Sequence, residues 1–218
     1  MAIPLAIFMG VYVFENKKYY FTSLLVLLEC ILPFAMLFEK RNPKARELVL
    51  IGVLCAIAVA GRMAFAALPQ CKPAVALVIV SGICLGGEVG FIVGAVTGLL
   101  SNFFFGQGPW TPWQMFAFGI IGFLAGVLFH QRILPASKPV LCLFGISSVL
   151  LIYGIIMNTY TVLLLQPHPT VKMLLAAWAA GLPFDCIHAL STAFFLWFTA
   201  HPMMEKIERI KTKHGLLL

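Results

Sequence analysis

Long apolar stretches follow one another along most of this chain, separated by short polar segments. Several of them approach the roughly 20 apolar residues that an α-helix needs to cross a bilayer. Only 11% of the residues are charged, whereas a soluble domain usually carries about 25%. The apolar runs are continuous rather than alternating, which argues against a membrane β-barrel. The sequence therefore predicts an all-α polytopic membrane protein.

Eight membrane helices are predicted, with approximate ranges 2–14, 21–38, 48–68, 74–86, 89–105, 114–129, 140–164 and 174–200. The fourth and fifth are separated only by GGE (86–88), so one long bent helix is an alternative for this pair. A basic, proline-containing segment divides the chain into a two-helix N-terminal extension, residues 1–45, and a six-helix domain, residues 46–218. The apolar start is short and lacks a basic signal-peptide segment. Met1 is therefore either not the true start or begins an irregular helix.

Lysine and arginine are distributed unevenly between the two sets of predicted loops. One set carries ten of these residues and the other carries four. Since basic loops of membrane proteins stay in the cytoplasm, the first set and both chain termini are predicted to be cytoplasmic. The net charge of +7 then reflects topology rather than nucleic-acid binding. The loops predicted to face outward are 15–20, 69–73, 106–113 and 165–173.

Polar side chains within the predicted spans concentrate in the outward-facing half of the six-helix domain. Such residues are costly in lipid and usually face the bundle interior or a cavity. The adjacent loop GQGPWTPWQM (106–115) is uncharged and contains two tryptophans. Few polar residues occur in the inner half, which predicts a site open to the outside rather than a continuous ion path. The predicted substrate-binding residues are Arg62, Asn102, Gln107, Trp110, Trp113, Gln114, Asn158 and Asp185.

Most of these residues also have a structural alternative. Arg62 extends to the membrane interface, pairs with Asp185, or holds an anionic or amide-rich ligand. Asp185, which follows GLPF, either caps a helix that restarts there or contacts a ligand. With His188, three residues further on the same helix face, Asp185 would form the acid/base pair of an intramembrane enzyme. Asn102 and Asn158 can instead bridge helices, and the two tryptophans can form an interfacial belt.

Two rows of small residues recur at every fourth position, which places each row on one face of a helix. Such rows allow a neighbouring helix to approach closely. The first row either packs within the chain or contacts a partner, and the second is predicted to pack against a helix of the same chain. The rows are Gly52, Ala56, Ala60 and Ala64, and Gly90, Gly94 and Gly98.

The sequence lacks the common motifs of ATP hydrolysis, metal binding and nucleophilic catalysis. It contains no G-x-x-x-x-G-K-[ST], no H-E-x-x-H and no G-x-S-x-G. Its six cysteines form no C-x-x-C pair, and five lie within apolar runs as small packing residues. These patterns predict no ATPase activity of its own, no metal site and no resident cofactor. A carrier that works without partners remains an alternative.

Three segments resemble the substrate-binding S components of energy-coupling factor (ECF) vitamin transporters. They are RELVLIGVLCAIAVAGRMAFAAL (46–68), GAVTGLLSNFFFGQGPWTPWQMFAFGIIGFLAG (94–126) and GLPFDCIHALSTAFFLWFTAHPMMEKIERI (181–210). The resemblance implies a multi-pass protein of the bacterial plasma membrane that captures a vitamin from outside. A membrane T component and two cytoplasmic ATPase subunits would supply the energy for uptake. Residues 1–45 lie outside the resemblance.

The resemblance also implies functional surfaces and a substrate class. The small-residue face would contact the T component through Ala56 and Ala60, with Ala64 continuing the row. Loops 68–73 and 106–114 would close over the substrate. The version GQGPWTPWQM most resembles members associated with cobalamin or its precursors. Another vitamin, or a precursor of the queuosine type with a purine- or pterin-like ring, is the alternative.

Overall fold

The structure is a computed structural model that describes residues 19–40 and 43–215, which form seven helices and no strand. Five of these helices, α2 and α4 to α7, are long and apolar enough to cross a membrane, and α3 is a shorter apolar helix. An all-α polytopic membrane protein is therefore confirmed. The helices are α1 (Tyr19–Lys40), α2 (Ala45–Ala64), α3 (Ala74–Leu85), α4 (Gly87–Phe105), α5 (Thr111–His130), α6 (Lys138–Leu165) and α7 (Val171–His214).

Helices α2 to α7 correspond to the six predicted helices of the second unit. The GGE segment separates α3 from α4, so the alternative of one bent helix is wrong. Gly86 makes this turn with φ of +91°, in a region that residues with a Cβ atom rarely adopt. Helix α1 corresponds to the predicted span 21–38, and the predicted span 2–14 lies outside the described residues. The division of the chain near residue 46 stays a prediction, although Phe34 of α1 stacks on Phe91 of α4 with ring centroids 3.8 Å apart.

Helix α3 lies at the centre of the bundle, and all twelve of its residues are buried. Its sequence, AVALVIVSGICL, is apolar on every face, which is typical of a helix surrounded by protein. The one serine satisfies its hydroxyl within the helix, because Ser81 Oγ donates to the Leu77 carbonyl at 2.8 Å. The other helices pack around this core, so their polar side chains are positioned relative to a rigid centre.

Helices α3, α4 and α5 approach one another at glycines. A Cβ atom added to Gly90 would lie 2.7 Å from Cα of Gly82 and would also collide with the Gly122 backbone. One added to Gly94 would lie 2.7 Å from the Gly119 nitrogen. The predicted packing of the row Gly90, Gly94 and Gly98 against a helix of the same chain is therefore confirmed. This contact fixes the positions of α4 and α5, which carry most of the candidate site.

Helix α7 is continuous over 44 residues, although Pro183 and Pro202 lie inside it. The alternative in which the helix breaks and Asp185 caps its restart is therefore wrong. Lipid offers no hydrogen-bond partner to exposed backbone groups, so a spanning helix tends to continue through a proline. The basic segment after His201 continues the same helix. Its Lys211 Nζ donates to the Cys84 carbonyl at the end of α3, at 2.8 Å.

The connections between helices lie alternately at two ends of the bundle. The polar end carries the connections after α2, α4 and α6, at 65–73, 106–110 and 166–170. The basic end carries Gly86, the connection 131–137 and the last turns of α7. The loop charges predict that the polar end faces outward. All of the predicted substrate-binding residues belong to the polar end or to the adjacent half of the helices.

Candidate functional site

Arg62, in the last turn of α2, points into the bundle toward α4. Its guanidinium donates hydrogen bonds to the Ser101 hydroxyl and, at 3.2 Å, to Oδ1 of Asn102. It also lies over the ring of Phe105, with Cζ 4.7 Å from the centroid. The alternatives in which Arg62 extends to the interface or pairs with Asp185 are therefore wrong. Arg62 is half-buried, and its guanidinium is held by neutral oxygen atoms through charge-assisted hydrogen bonds.

Asn102 extends this polar group toward the loop that follows α4. Asn102 is 1% exposed, and its Nδ2 donates to Oγ1 of Thr111 at 3.1 Å. The Thr111 hydroxyl donates in turn to Oε1 of Gln107 at 2.9 Å. Gln107 Nε2 donates to the Leu99 carbonyl at 3.0 Å. We call this network, comprising Arg62, Ser101, Asn102, Thr111 and Gln107, the Arg62 cluster; it ties the loop 106–110 to α4.

Gln114 lies one turn after Thr111 and belongs to a second polar group. Its Nε2 donates to the Tyr153 hydroxyl at 3.0 Å. The Tyr153 ring meets the His188 ring edge to face, with centroids 4.8 Å apart. Tyr153 belongs to a π-helical segment of α6, Val149–Gly154, and such segments often occur at functional sites. We call Gln114, Tyr153 and His188 the Tyr153 cluster.

Two buried polar atoms of the Tyr153 cluster lack a hydrogen-bond partner among the described residues. They are Oε1 of Gln114 and Nδ1 of His188, on side chains that are 3% and 4% exposed. The amide of Gln114 has one unsatisfied polar atom whichever way it is oriented. Leaving a buried polar group unpaired costs about 1–3 kcal/mol, and native proteins seldom do so. These atoms are therefore the best candidates for contact with a bound molecule.

Asn158 and Asp185 form a separate pair that joins α6 to α7. Asn158 Nδ2 donates to Oδ2 of Asp185 at 2.8 Å. Two glycines make room for this contact: a Cβ atom on Gly181 would lie 2.6 Å from Cγ of Asn158, and one on Gly154 would lie 2.9 Å from Cγ of Asp185. The alternative that Asn158 bridges helices is thus confirmed. Within residues 43–215, the described hydrogen bonds connect Asp185 to Asn158 and not to His188.

The two tryptophans of the loop region have different surroundings. Trp113 is 8% exposed and packs against Tyr160 with ring centroids 5.9 Å apart. The alternative that Trp113 belongs to an interfacial belt is therefore wrong. Trp110 is half-buried and packs against the same small cluster. Both rings stabilise the start of α5, and only Trp110 retains a partly open surface.

Lys72 connects the first and second loops of the polar end. Its Nζ donates to the carbonyls of Phe65 and Leu68, both at 2.9 Å, and lies 5.5 Å from the Phe105 ring centroid. The Phe105 ring therefore makes cation–π contacts with both Arg62 and Lys72. Burial, and next the charge of Arg62, lower the pKa of the Lys72 ammonium below its ordinary value. The connections 65–73 and 106–110 are thus held together at Phe105.

The row Ala56, Ala60 and Ala64 is exposed along α2, so the alternative of internal packing is wrong. Ala56 and Ala60, together with Gly52, Phe103 and Phe104, border an apolar groove of about 540 Å³. Phe103 is 68% exposed and Phe104 is 63% exposed. The groove lies on the outside of the bundle, away from the Tyr153 cluster. It is a surface suited to another helix.

Sequence reasoning missed several members of the site. Thr111 lies three residues before Gln114, on the same helix face, and this spacing was an available signal. Tyr153 is one of two tyrosines in the mostly apolar helix α6, and its sequence context gives little indication of its role. Among residues 19–40 and 43–215, no three His, Cys, Asp or Glu side chains are grouped so that they could hold a metal ion. The residues missed are Lys72, Ser101, Phe105, Thr111 and Tyr153.

Comparison with known proteins identifies one family. The model of the family described as "ECF-type riboflavin transporter, S component" matches residues 42–199. The matched range begins just before α2 and ends within α7, so it includes both polar clusters and the small-residue face. No curated protein and no solved structure matches the chain.

Proposed function

The chain belongs to the family of ECF-type riboflavin transporter S components, and from this premise we propose that it captures a flavin-type vitamin at the polar end of the bundle for import. The observation that carries the proposal is the family match over residues 42–199, which contains every predicted substrate-binding residue. Proteins of this family are transporter components rather than enzymes.

The chemistry of the site supports a flat, uncharged heteroaromatic ligand. Gln114 Oε1 and His188 Nδ1 are buried polar atoms without a hydrogen-bond partner among the described residues. A flavin ring has hydrogen-bond donors and acceptors along one edge, and in this proposal they pair with these two atoms. The half-buried ring of Trp110 supplies a surface for stacking, which aromatic groups favour at centroid distances of about 4.5–7 Å. The Tyr153 ring is already stacked on Phe118, with centroids 5.3 Å apart. Riboflavin is therefore the proposed substrate. Cobalamin stays an untested prediction, and its corrin ring would need a much wider opening between the loops.

Entry of a ligand requires the loops of the polar end to separate. Gln114 and His188 are almost fully buried, while the connections 65–73 and 106–110 meet at Phe105. Each cation–π contact contributes about 0.5–2 kcal/mol, which is weak enough to be broken and restored. In this proposal Arg62 and Asn102 position the loop rather than bind the ring. Asn158 and Asp185 hold α6 and α7 together beside the ligand.

Import itself requires partners. S components of this family work with a membrane T component and ATPase subunits, and this chain has no phosphate-binding motif of the Walker A type. We propose that the exposed row Ala56, Ala60 and Ala64 receives a T-component helix in the groove beside Phe103 and Phe104. The contact would be broad and apolar, with few specific bonds. Such a surface suits repeated association and release.

Titration of the purified, detergent-solubilised protein with riboflavin tests the substrate. Stacking on aromatic rings quenches flavin fluorescence, so we expect saturable quenching with one site per chain. We expect Gln114→Leu to weaken binding at least about tenfold, because an unpaired polar edge of the ligand then faces a methyl group. The matched control is Gln131→Leu, an exposed residue at the basic end, which should bind as the wild type does.

Competition separates the possible substrates. An excess of unlabelled riboflavin should release the bound flavin, whereas cobalamin and thiamine should not. Binding of cobalamin without riboflavin would reject the flavin proposal and leave the family assignment intact. Riboflavin uptake by vesicles that lack every partner subunit would instead support a self-sufficient carrier.

A further inference from the structure

A second groove lies at the basic end of the bundle, where the first turns of α2 pass the last turns of α7. It has a volume of about 350 Å³ and is lined by the aliphatic side chains of Val49, Leu50, Val53 and Ile210. Arg46 and His214 complete the lining. The groove is distinct from the one beside Ala56, and the functions proposed above do not use it.

The position of the groove places it at the boundary between lipid tails and headgroups. Arg46 lies in the first turn of α2 and His214 is the last residue of α7, and both helices are long enough to span a membrane. The apolar side of the groove is open: Val49 is 67% exposed and Val53 is 48% exposed. An apolar channel with the Arg46 guanidinium at its rim is therefore presented to the bilayer near the depth of the phosphates.

The charge around the groove is positive. Segments 44–47 and 205–213 contain six Lys and Arg residues against three Glu residues. Among the glutamates, Glu208 pairs with Lys211 at 2.7 Å, and Glu47 is 5% exposed. Arg46, by contrast, is an exposed side chain at the rim. The groove thus combines a positive rim with an aliphatic floor.

We propose that this groove binds one anionic phospholipid. The lipid phosphate would accept hydrogen bonds from the Arg46 guanidinium, with His214 beside it, and one acyl chain would lie along Val49, Val53 and Ile210. Basic pockets between membrane helices are suited to anionic headgroups, because each nearby Lys or Arg contributes about 1 kcal/mol. A free anion would gain nothing from the aliphatic floor, and a zwitterionic lipid would gain less from the rim, because the positive surroundings repel its ammonium group. The lipid would hold the end of α7 against α2.

Native mass spectrometry of the full chain, released from mixed micelles, tests the proposal. The probes are phosphatidylglycerol and phosphatidylcholine with identical acyl chains. We expect one tightly held phosphatidylglycerol per chain and several weak adducts of either lipid. Arg46→Gln should weaken the tight adduct about fivefold. Val49→Trp, which fills the aliphatic floor without changing charge, should also reduce it.

The matched control is Arg132→Gln, because Arg132 is an exposed arginine at the same end of the bundle but outside the groove. This variant should retain the tight adduct. Equal losses for Arg46→Gln and Arg132→Gln would overturn the proposal in favour of diffuse attraction by the basic end. Equal binding of the two lipids by the wild type would overturn it as well. Thermal unfolding of each variant in detergent confirms that the fold is retained.

Discussion

Two glycine-to-alanine substitutions are predicted to have opposite effects on stability. Both Gly52 and Gly122 lie inside membrane-spanning helices, so alanine gains about 0.5–1 kcal/mol of helix propensity at either position. At Gly52 nothing lies within 4 Å of the new Cβ atom. At Gly122 the new atom would lie 2.9 Å from Cγ1 of Val78 and would collide with the Gly90 backbone.

The size of the difference follows from these contacts. Overpacking of a well-packed core costs about 1–3 kcal/mol, and the upper value applies here because the obstructing atoms belong to a neighbouring backbone. After the propensity gain, Gly122→Ala should lose about 2 kcal/mol. For a domain of this size that loss lowers the unfolding temperature by about 4–8 °C, whereas Gly52→Ala should raise it by about 1–4 °C.

Thermal unfolding in one detergent, followed by tryptophan fluorescence, measures both variants against the wild type. Riboflavin binding provides a second measurement, since displacement of α5 from α4 also shifts Gln114 relative to Tyr153. The reasoning is refuted if Gly122→Ala unfolds at the wild-type temperature or above it. In that case α4 and α5 would not depend on backbone contact at these glycines.

Three further predictions concern the partner surface and the polar end. Ala56→Trp should prevent co-purification with the T component while leaving riboflavin affinity unchanged. The control is Ala180→Trp, at another exposed alanine. Normal uptake by Ala56→Trp would contradict the proposed interface. Asn158→Leu should lower the free energy of unfolding by about 1–3 kcal/mol, because Asp185 loses its hydrogen-bond donor. Asp185→Asn should lower it by less. Equal decreases for the two variants would argue against this pairing. The pKa of Lys72 is lower in the folded protein than in the unfolded chain. At pH values just below the ordinary lysine pKa, the unfolded chain therefore binds more protons than the folded protein does, and the free energy of unfolding should rise with pH in that range. Lys72→Met should remove that rise, and an unchanged pH profile would contradict it.

The helices were largely predictable because lipid imposes a simple requirement on the sequence. Each span must satisfy its own backbone hydrogen bonds and must present apolar side chains over roughly 20 residues. The ranges of α2 to α6 were therefore close to those predicted. The predicted span 174–200 stops short of the end of α7, because the basic last turns resemble a solvated, helical tail in composition. In the structure they pack on the bundle through the buried Ile207 and through Lys211.

The composition of the site was easier to predict than its connections. Placing a polar side chain in a bilayer carries a large free-energy penalty, so polar residues within apolar spans indicate a buried site. Arg62, Asn102 and Gln114 were identifiable on this basis alone. Their partners depend on the rotation of each helix about its axis, and a single sequence does not specify that rotation precisely. Arg62 consequently faces α4 rather than Asp185. The π-helical segment that contains Tyr153 has no clear sequence signature, so the contact of Tyr153 with Gln114 was not predicted.

The unbroken course of α7 joins the polar end of the molecule to the basic end. At 1.5 Å per residue, its 44 residues form a rod of about 66 Å. His188 and Asp185 lie in its upper part, and Lys211 and His214 lie at its foot. A tilt of about 5° around the midpoint would displace each end by about 3 Å in opposite directions. Any tilt of α7 that moves the polar end is therefore also a displacement of Lys211 and His214 at the basic end.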